Sequence, residues 1–224
     1  MSRTSIYVVV ALASAAVGYT LYHFVVAPRI EPDVAAVQGT PGAPPSSSVT
    51  TAAAVSTDAG LPATLPDVSM PDREGQMRSI TSWTGKSMIV NFWATWCAPC
   101  RREIPLLNQI QQQQMAQGFQ VIGVAVDARD EVLEYAEANT IDYPVLISEE
   151  GGIEAASKLG QRSLGLPLTA FTDRQHRVIA THSGELTKPQ ADAMIEVIGR
   201  LNRGELTLEA ARTLADEKLQ AVEG

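Results

Sequence analysis

Cysteine is almost absent from this chain, with two residues in 224. Two thiols cannot build the disulfide framework of a small secreted scaffold, so the fold must rest on a packed core. Histidine is nearly as scarce. His23 falls in the apolar N-terminal stretch, and His176 and His182 fall near a distal hairpin. A tetrahedral zinc site at the cysteines would therefore lack its other ligands. Positive charge is also short, with 17 Lys and Arg against 25 Asp and Glu and a formal charge of −8. That argues against a nucleic-acid partner, which needs a basic face. Hydrophobic residues make up 45% of the chain, enough for a core, and no internal repeat is evident.

Both cysteines stand in one five-residue stretch, Trp96-Cys97-Ala98-Pro99-Cys100. It follows an apolar run, Ser87 to Ala94, that reads as a buried parallel strand. It precedes a helix expected from about Pro99 to Gln117, kinked at Pro105. A Cys-x-x-Cys pair at a helix N-terminus can hold a dithiol or a short disulfide and switch between them. The unpaired N–H groups there favour a thiolate on Cys97. Cys100, one turn inward, is placed to attack a mixed disulfide.

Residues 1–5 precede an apolar stretch, 6–27, long enough to cross a hydrocarbon core of ~30 Å as one helix. Arg3 before it and Arg29 after it orient it weakly, with the N-terminus in the cytoplasm. A cleaved signal peptide is the rival reading, but Ala13-Ser14-Ala15 follows a short apolar region and Val25-Val26-Ala27 is a poor site. No cysteine stands directly after this segment, so a lipoprotein is excluded. Either reading exports the rest of the chain. Residues 28–60 are rich in Pro, Ala, Ser, Thr and Gly, a composition expected to form a flexible tether.

The folded part is expected from residue 61. Its expected order is a short strand at Gln76–Ile80, then βαβαβα, then a hairpin around Asp173–His176 and a helix from Lys188 to Leu201. This gives an α/β fold with a mixed sheet flanked by helices. Gln111 to Gln114 reads as a solvated helix face, as do Arg101 and Arg102. Residues 204–224 read as a charged helical extension.

The stretch Asn91-Phe92-Trp93-Ala94-Thr95-Trp96-Cys97-Ala98-Pro99-Cys100, with Glu103, Pro105 and the block Gly165-Leu166-Pro167-Leu168-Thr169-Ala170-Phe171-Thr172-Asp173, resembles thioredoxin and more closely its membrane-anchored TlpA/ResA-like branch. The resemblance covers about 61–203. It implies a thioredoxin-like fold with an inserted βα unit near Asp130–Leu159. It also implies a catalytic Cys97 and Cys100, and a buried Glu103 exchanging a proton with Cys100. The neutral Asn91 stands where thioredoxin carries a buried Asp, which leaves Glu103 as the local candidate for that role. The resemblance further implies a cis Pro167 facing the cysteines, with Leu166 free to pair with a substrate strand. Trp96 and Pro99 would shape the approach to Cys97.

These readings converge on a thiol–disulfide oxidoreductase in the bacterial inner membrane, single-pass, with its catalytic domain in the periplasm. It would be a monomer with no bound organic cofactor and no metal. Its partners would be protein disulfides, such as apocytochrome c or copper-site cysteines, and a membrane thiol donor. Ala98-Pro99 offers no histidine to stabilise the thiolate, which favours a reductant. The alternatives are a net oxidase or isomerase, a Cu(I) carrier using the same cysteines, or a structural domain with a vestigial site.

Overall fold

The computed structural model describes residues 61–161 and 165–222. The expected membrane span at 6–27 and tether at 28–60 lie outside the described residues. Among the described residues no helix is long and apolar enough to cross a membrane.

A five-stranded sheet forms the centre, in the order β5-β4-β3-β6-β7. Its strands are β3 (Ser87–Trp93), β4 (Phe119–Ala125), β5 (Val145–Ile147), β6 (Leu168–Thr172) and β7 (Val178–Ser183). Strands β3, β4 and β5 run parallel, while β6 and β7 are antiparallel to their neighbours. Every residue of β3 and β4 is buried, because helices cover both faces. Alternation along β3 divides the core in two. Ile89 and Trp93 face a cluster that includes Cys97, Cys100 and Ile104. Met88, Val90 and Phe92 face the other, with Leu146, Ala155 and Met70. Asn91 shares the first face with Ile89 and Trp93.

The helices are α1 (Ala98–Gln114), α2 (Arg129–Ala138), α3 (Glu149–Lys158), α4 (Lys188–Asn202) and α5 (Leu208–Val222). Helix α1 continues through Pro105 and ends in a 3₁₀ turn, Met115–Gln117. Gly118 closes that turn at φ +91°, a conformation that favours glycine. Ser148 caps α3 by accepting from the Gly151 N–H at 3.0 Å. Between β4 and β6 stand α2, β5 and α3, where the inserted unit was expected.

Several expectations are corrected. A strand the sequence did not signal, β1 (Ser69–Pro71), pairs antiparallel with β2 (Met77–Ser79) in a small separate sheet. Gln111 is not on a solvated face. It is buried, and its Oε1 accepts from Gln120 Nε2 at 3.0 Å and Val121 N–H at 2.9 Å. A buried amide is tolerable because these donors satisfy it. Arg101 and Arg102 are exposed, as expected, and Arg102 also makes a surface ion pair with Glu185. Helix α5 is part of the packing: Ala211, Ala215 and Leu219 are buried in the same cluster as the cysteines. Arg212 Nε donates to the Val178 carbonyl at 2.9 Å.

Candidate active site

The site is built at the C-terminal end of β3. The Val126 N–H donates to the Trp93 carbonyl at 2.8 Å and the Cys97 N–H to the Ala94 carbonyl at 3.2 Å, turning the chain into α1. Cys97 is the N-cap of α1, with extended backbone at φ −82° and ψ 103°. Ala98 and Pro99 occupy the first helical positions, where a missing proline N–H costs no hydrogen bond. Cys97 and Cys100 are joined in a disulfide, with Cα atoms 5.3 Å apart. The Cys100 N–H points at Cys97 Sγ at 3.3 Å, a donor that would also stabilise a Cys97 thiolate. Cys97 retains 5% exposure and Cys100 none. Access therefore falls to Cys97. Trp96 beside it is 64% exposed, and Pro99 is half-buried.

Glu103 lies in the next turn of α1 and is 1% exposed. Its Oε1 accepts from Asn91 Nδ2 at 2.7 Å and its Oε2 from the Leu186 N–H at 2.6 Å. Burial pushes its carboxyl up from 4.5 to about 7, against the pull of those two hydrogen bonds. The nearby Glu185 pushes in the same direction as burial. A carboxyl poised near neutrality inside a core can both take and release a proton there.

The peptide bond Leu166–Pro167 is cis. Leu168 pairs with Phe92, so the register carries Pro167 opposite Trp93, at the strand end that leads to Cys97. Leu166 packs against the cluster that holds both cysteines. The Pro167 carbonyl accepts from the Gly184 N–H at 2.9 Å. The structure thus gathers Trp96, Cys97, Pro99, Cys100, Glu103, Leu166 and Pro167 at one end of β3 and β6.

Sequence reasoning overlooked three participants. Asp127 Oδ2 accepts from both the N–H and the hydroxyl of Thr95, fixing the turn before Cys97. Its signal was present: it is the first charged residue after the apolar run of β4, at the end of a parallel strand where ligand sites form. The others are Thr169, which accepts from Asn91 Nδ2 at 3.1 Å, and the Leu186 backbone N–H. His182 is not remote from the site. It lies directly opposite Thr169 on β7, two strands or ~10 Å from Asn91. Among the described residues no three His, Cys, Asp or Glu side chains gather as a metal site.

A sheet of this topology with a Cys-x-x-Cys disulfide capping the helix after its central strand defines a thioredoxin-like thiol–disulfide oxidoreductase. The Redoxin family profile matches residues 60–195, and the chain belongs to that family. It is 31% identical over 136 residues to the thiol-disulfide oxidoreductase ResA of Geobacillus thermodenitrificans, covering 60% of this chain and 76% of that protein. It is 29% identical to the thioredoxin-like protein YneN of Bacillus subtilis, over 59% of this chain and 76% of that one. Among solved structures, a putative thiol:disulfide interchange protein DsbE from Chlorobium tepidum superposes with a TM-score of 0.57. It shares 26% identity, over 62% of this chain and 97% of that one.

Proposed function

We propose that this chain is a periplasm-facing reductase of disulfides in exported proteins, anchored by residues 6–27. The observation that carries the reading is the paired environment of the cysteines. One is reachable at a helix N-terminus, and the other is sealed within a turn of a buried carboxyl. In the reducing direction the Cys97 thiolate attacks a substrate disulfide, and the displaced substrate thiolate takes a proton from water. Cys100 then gives its proton to the Glu103 carboxylate and attacks Cys97 Sγ. The second substrate thiolate, displaced from Cys97 Sγ, takes a proton from water and Glu103 releases its proton to solvent. The substrate thus leaves as a dithiol and the Cys97–Cys100 disulfide, the form in this structure, remains.

A membrane dithiol donor returns two electrons and two protons to reset the pair, and no bound organic cofactor is needed. Trp96 and Pro99 form the rim over which a substrate approaches, and Leu166 and Pro167 form its far side. The absence of a histidine between the cysteines favours the reducing direction. Suitable substrates are Cys-x-x-Cys-His haem-attachment sites and copper-site cysteines that must stay reduced in an oxidising compartment.

The test is a trap. Full-length chain carrying Cys100→Ser should accumulate mixed disulfides through Cys97, identified by mass spectrometry. Exported proteins with paired cysteines are the expected partners. A set made up only of cytosolic proteins would contradict the reading.

A further inference from the structure

Asn91 has an unusual hydrogen-bond account. Both of its Nδ2 hydrogens are used, one on Glu103 Oε1 and one on Thr169 Oγ1. Its Oδ1 is buried and has no partner among the described residues. An orphaned buried carbonyl oxygen is costly, so something must hold the amide this way round. An ionised Glu103 does so: a carboxylate only accepts, so only an N–H can face it.

A protonated Glu103 changes the choice. Its O–H is a donor, and the Thr169 hydroxyl can donate as readily as accept. Reversing the amide then presents Oδ1, with its two lone pairs, to both hydroxyl groups. The oxygen and NH₂ of an amide are close to the same size, so the swap needs no repacking. The backbone stays fixed, since Asn91 is held in the ladder between Gly123 and Thr169. Either way one end of the amide makes two hydrogen bonds and the other makes none.

We propose that Asn91 is a positioning residue whose side-chain amide reverses when Glu103 takes up a proton, keeping both forms of that carboxyl hydrogen-bonded. The proposal rests on the reading of Glu103 as the proton acceptor for Cys100. Without the reversal, the protonated carboxyl would face an N–H with nothing to receive its own hydrogen, and release of the proton would be favoured over uptake. An aspartate at position 91 would add a second negative charge, and an alanine would bond neither form. The groups around Glu103 are the Cys97–Cys100 disulfide on its own helix, which titrates only once reduced, Tyr143 from the segment before β5, and His182 and Glu185 from β7 and the loop after it. Arg102 is held by Glu185.

The chain has four asparagines, so ¹⁵N-asparagine labelling of the full-length oxidised protein isolates the Asn91 amide. Its signal is assigned by through-space contact to Thr169 and followed from pH 5 to 9. The Nδ2 proton facing Glu103 should lie downfield at high pH and move upfield as the carboxyl protonates. Glu103→Gln should abolish the titration. In parallel, Asn91→Ala removes a partner from both forms of Glu103, so the pH midpoint of thiol–disulfide exchange should move by much less than about one unit. A rise of about one unit, the direction expected when only a donor to the carboxylate is lost, would mean a fixed amide and overturn the reversal. An Asn91 amide that stays flat while Glu103→Gln still alters the exchange profile would overturn the proposal. If the amide titrates but Glu103→Gln leaves the exchange profile untouched, the proton-acceptor reading is what fails, and the reversal stands.

Discussion

Thr95 gives both its backbone N–H and its hydroxyl to one oxygen of Asp127, at 2.8 and 2.5 Å. The other Asp127 oxygen accepts from the Ala128 N–H at 2.8 Å. One carboxylate thus ties the end of β4 to the turn that delivers Trp96 and Cys97. Asp127→Ala removes both bonds to Thr95 and should cost about 1–3 kcal/mol of stability. It should also slow attack by Cys97, because the turn before it loses its anchor. Urea unfolding and the rate of reduction of a model disulfide measure the two effects on one preparation.

Exposure sets the order of the cysteines. Cys97→Ser should abolish exchange, since Cys100 has no accessible surface. Cys100→Ser should still allow the first attack and stop at the mixed disulfide. Mass spectrometry after brief exposure to a disulfide peptide distinguishes a bound adduct from none.

Glu103 makes stability depend on pH. Its folded value of about 7 lies above its ordinary 4.5, so between these the folded state holds more protons than the unfolded state. Stability is therefore greatest below about pH 4.5 as far as this group is concerned, and falls as pH rises through 7. The full difference is about 3 kcal/mol. Glu103→Gln should flatten that part of the curve. Denaturant unfolding of both proteins at pH 5 and pH 8.5 provides the comparison.

Gly123 lies beside Asn91 in the ladder and has two close neighbours. A Cβ there would meet Trp93 Nε1 at 3.0 Å and Tyr143 Cε2 at 3.1 Å. Both rings belong to rigid buried side chains, so neither can yield easily. Gly123→Ala should cost about 1–3 kcal/mol through overpacking. A thermal melt of the variant against the parent protein checks it.

The sequence carried much of this fold, for physical reasons that vary along the chain. Strands β3 and β4 were legible because both faces are buried and the residues are apolar without interruption. Helix α4 was legible from its amphipathic spacing. Strand β1 was not, because three residues containing a proline and a serine carry no period. Gln111 misled because a polar side chain reads as exposed, and only the tertiary fold brings Gln120 and Val121 to it. The cysteines announced themselves by spacing. Glu103 and Pro167 came from resemblance, since helix statistics alone favour a solvated glutamate. Asp127 acts from the loop after β4 and Thr169 from β6, and linear spacing does not show which residues a sheet will set side by side.

The most direct test of the reductase account is the midpoint potential of Cys97–Cys100 in the full-length chain, by equilibration in glutathione or dithiothreitol buffers with Cys97→Ser as the blank. The account predicts about −220 mV or lower, among the reducing thioredoxin-like couples. A value above about −180 mV would contradict it and make the protein a net oxidase or isomerase.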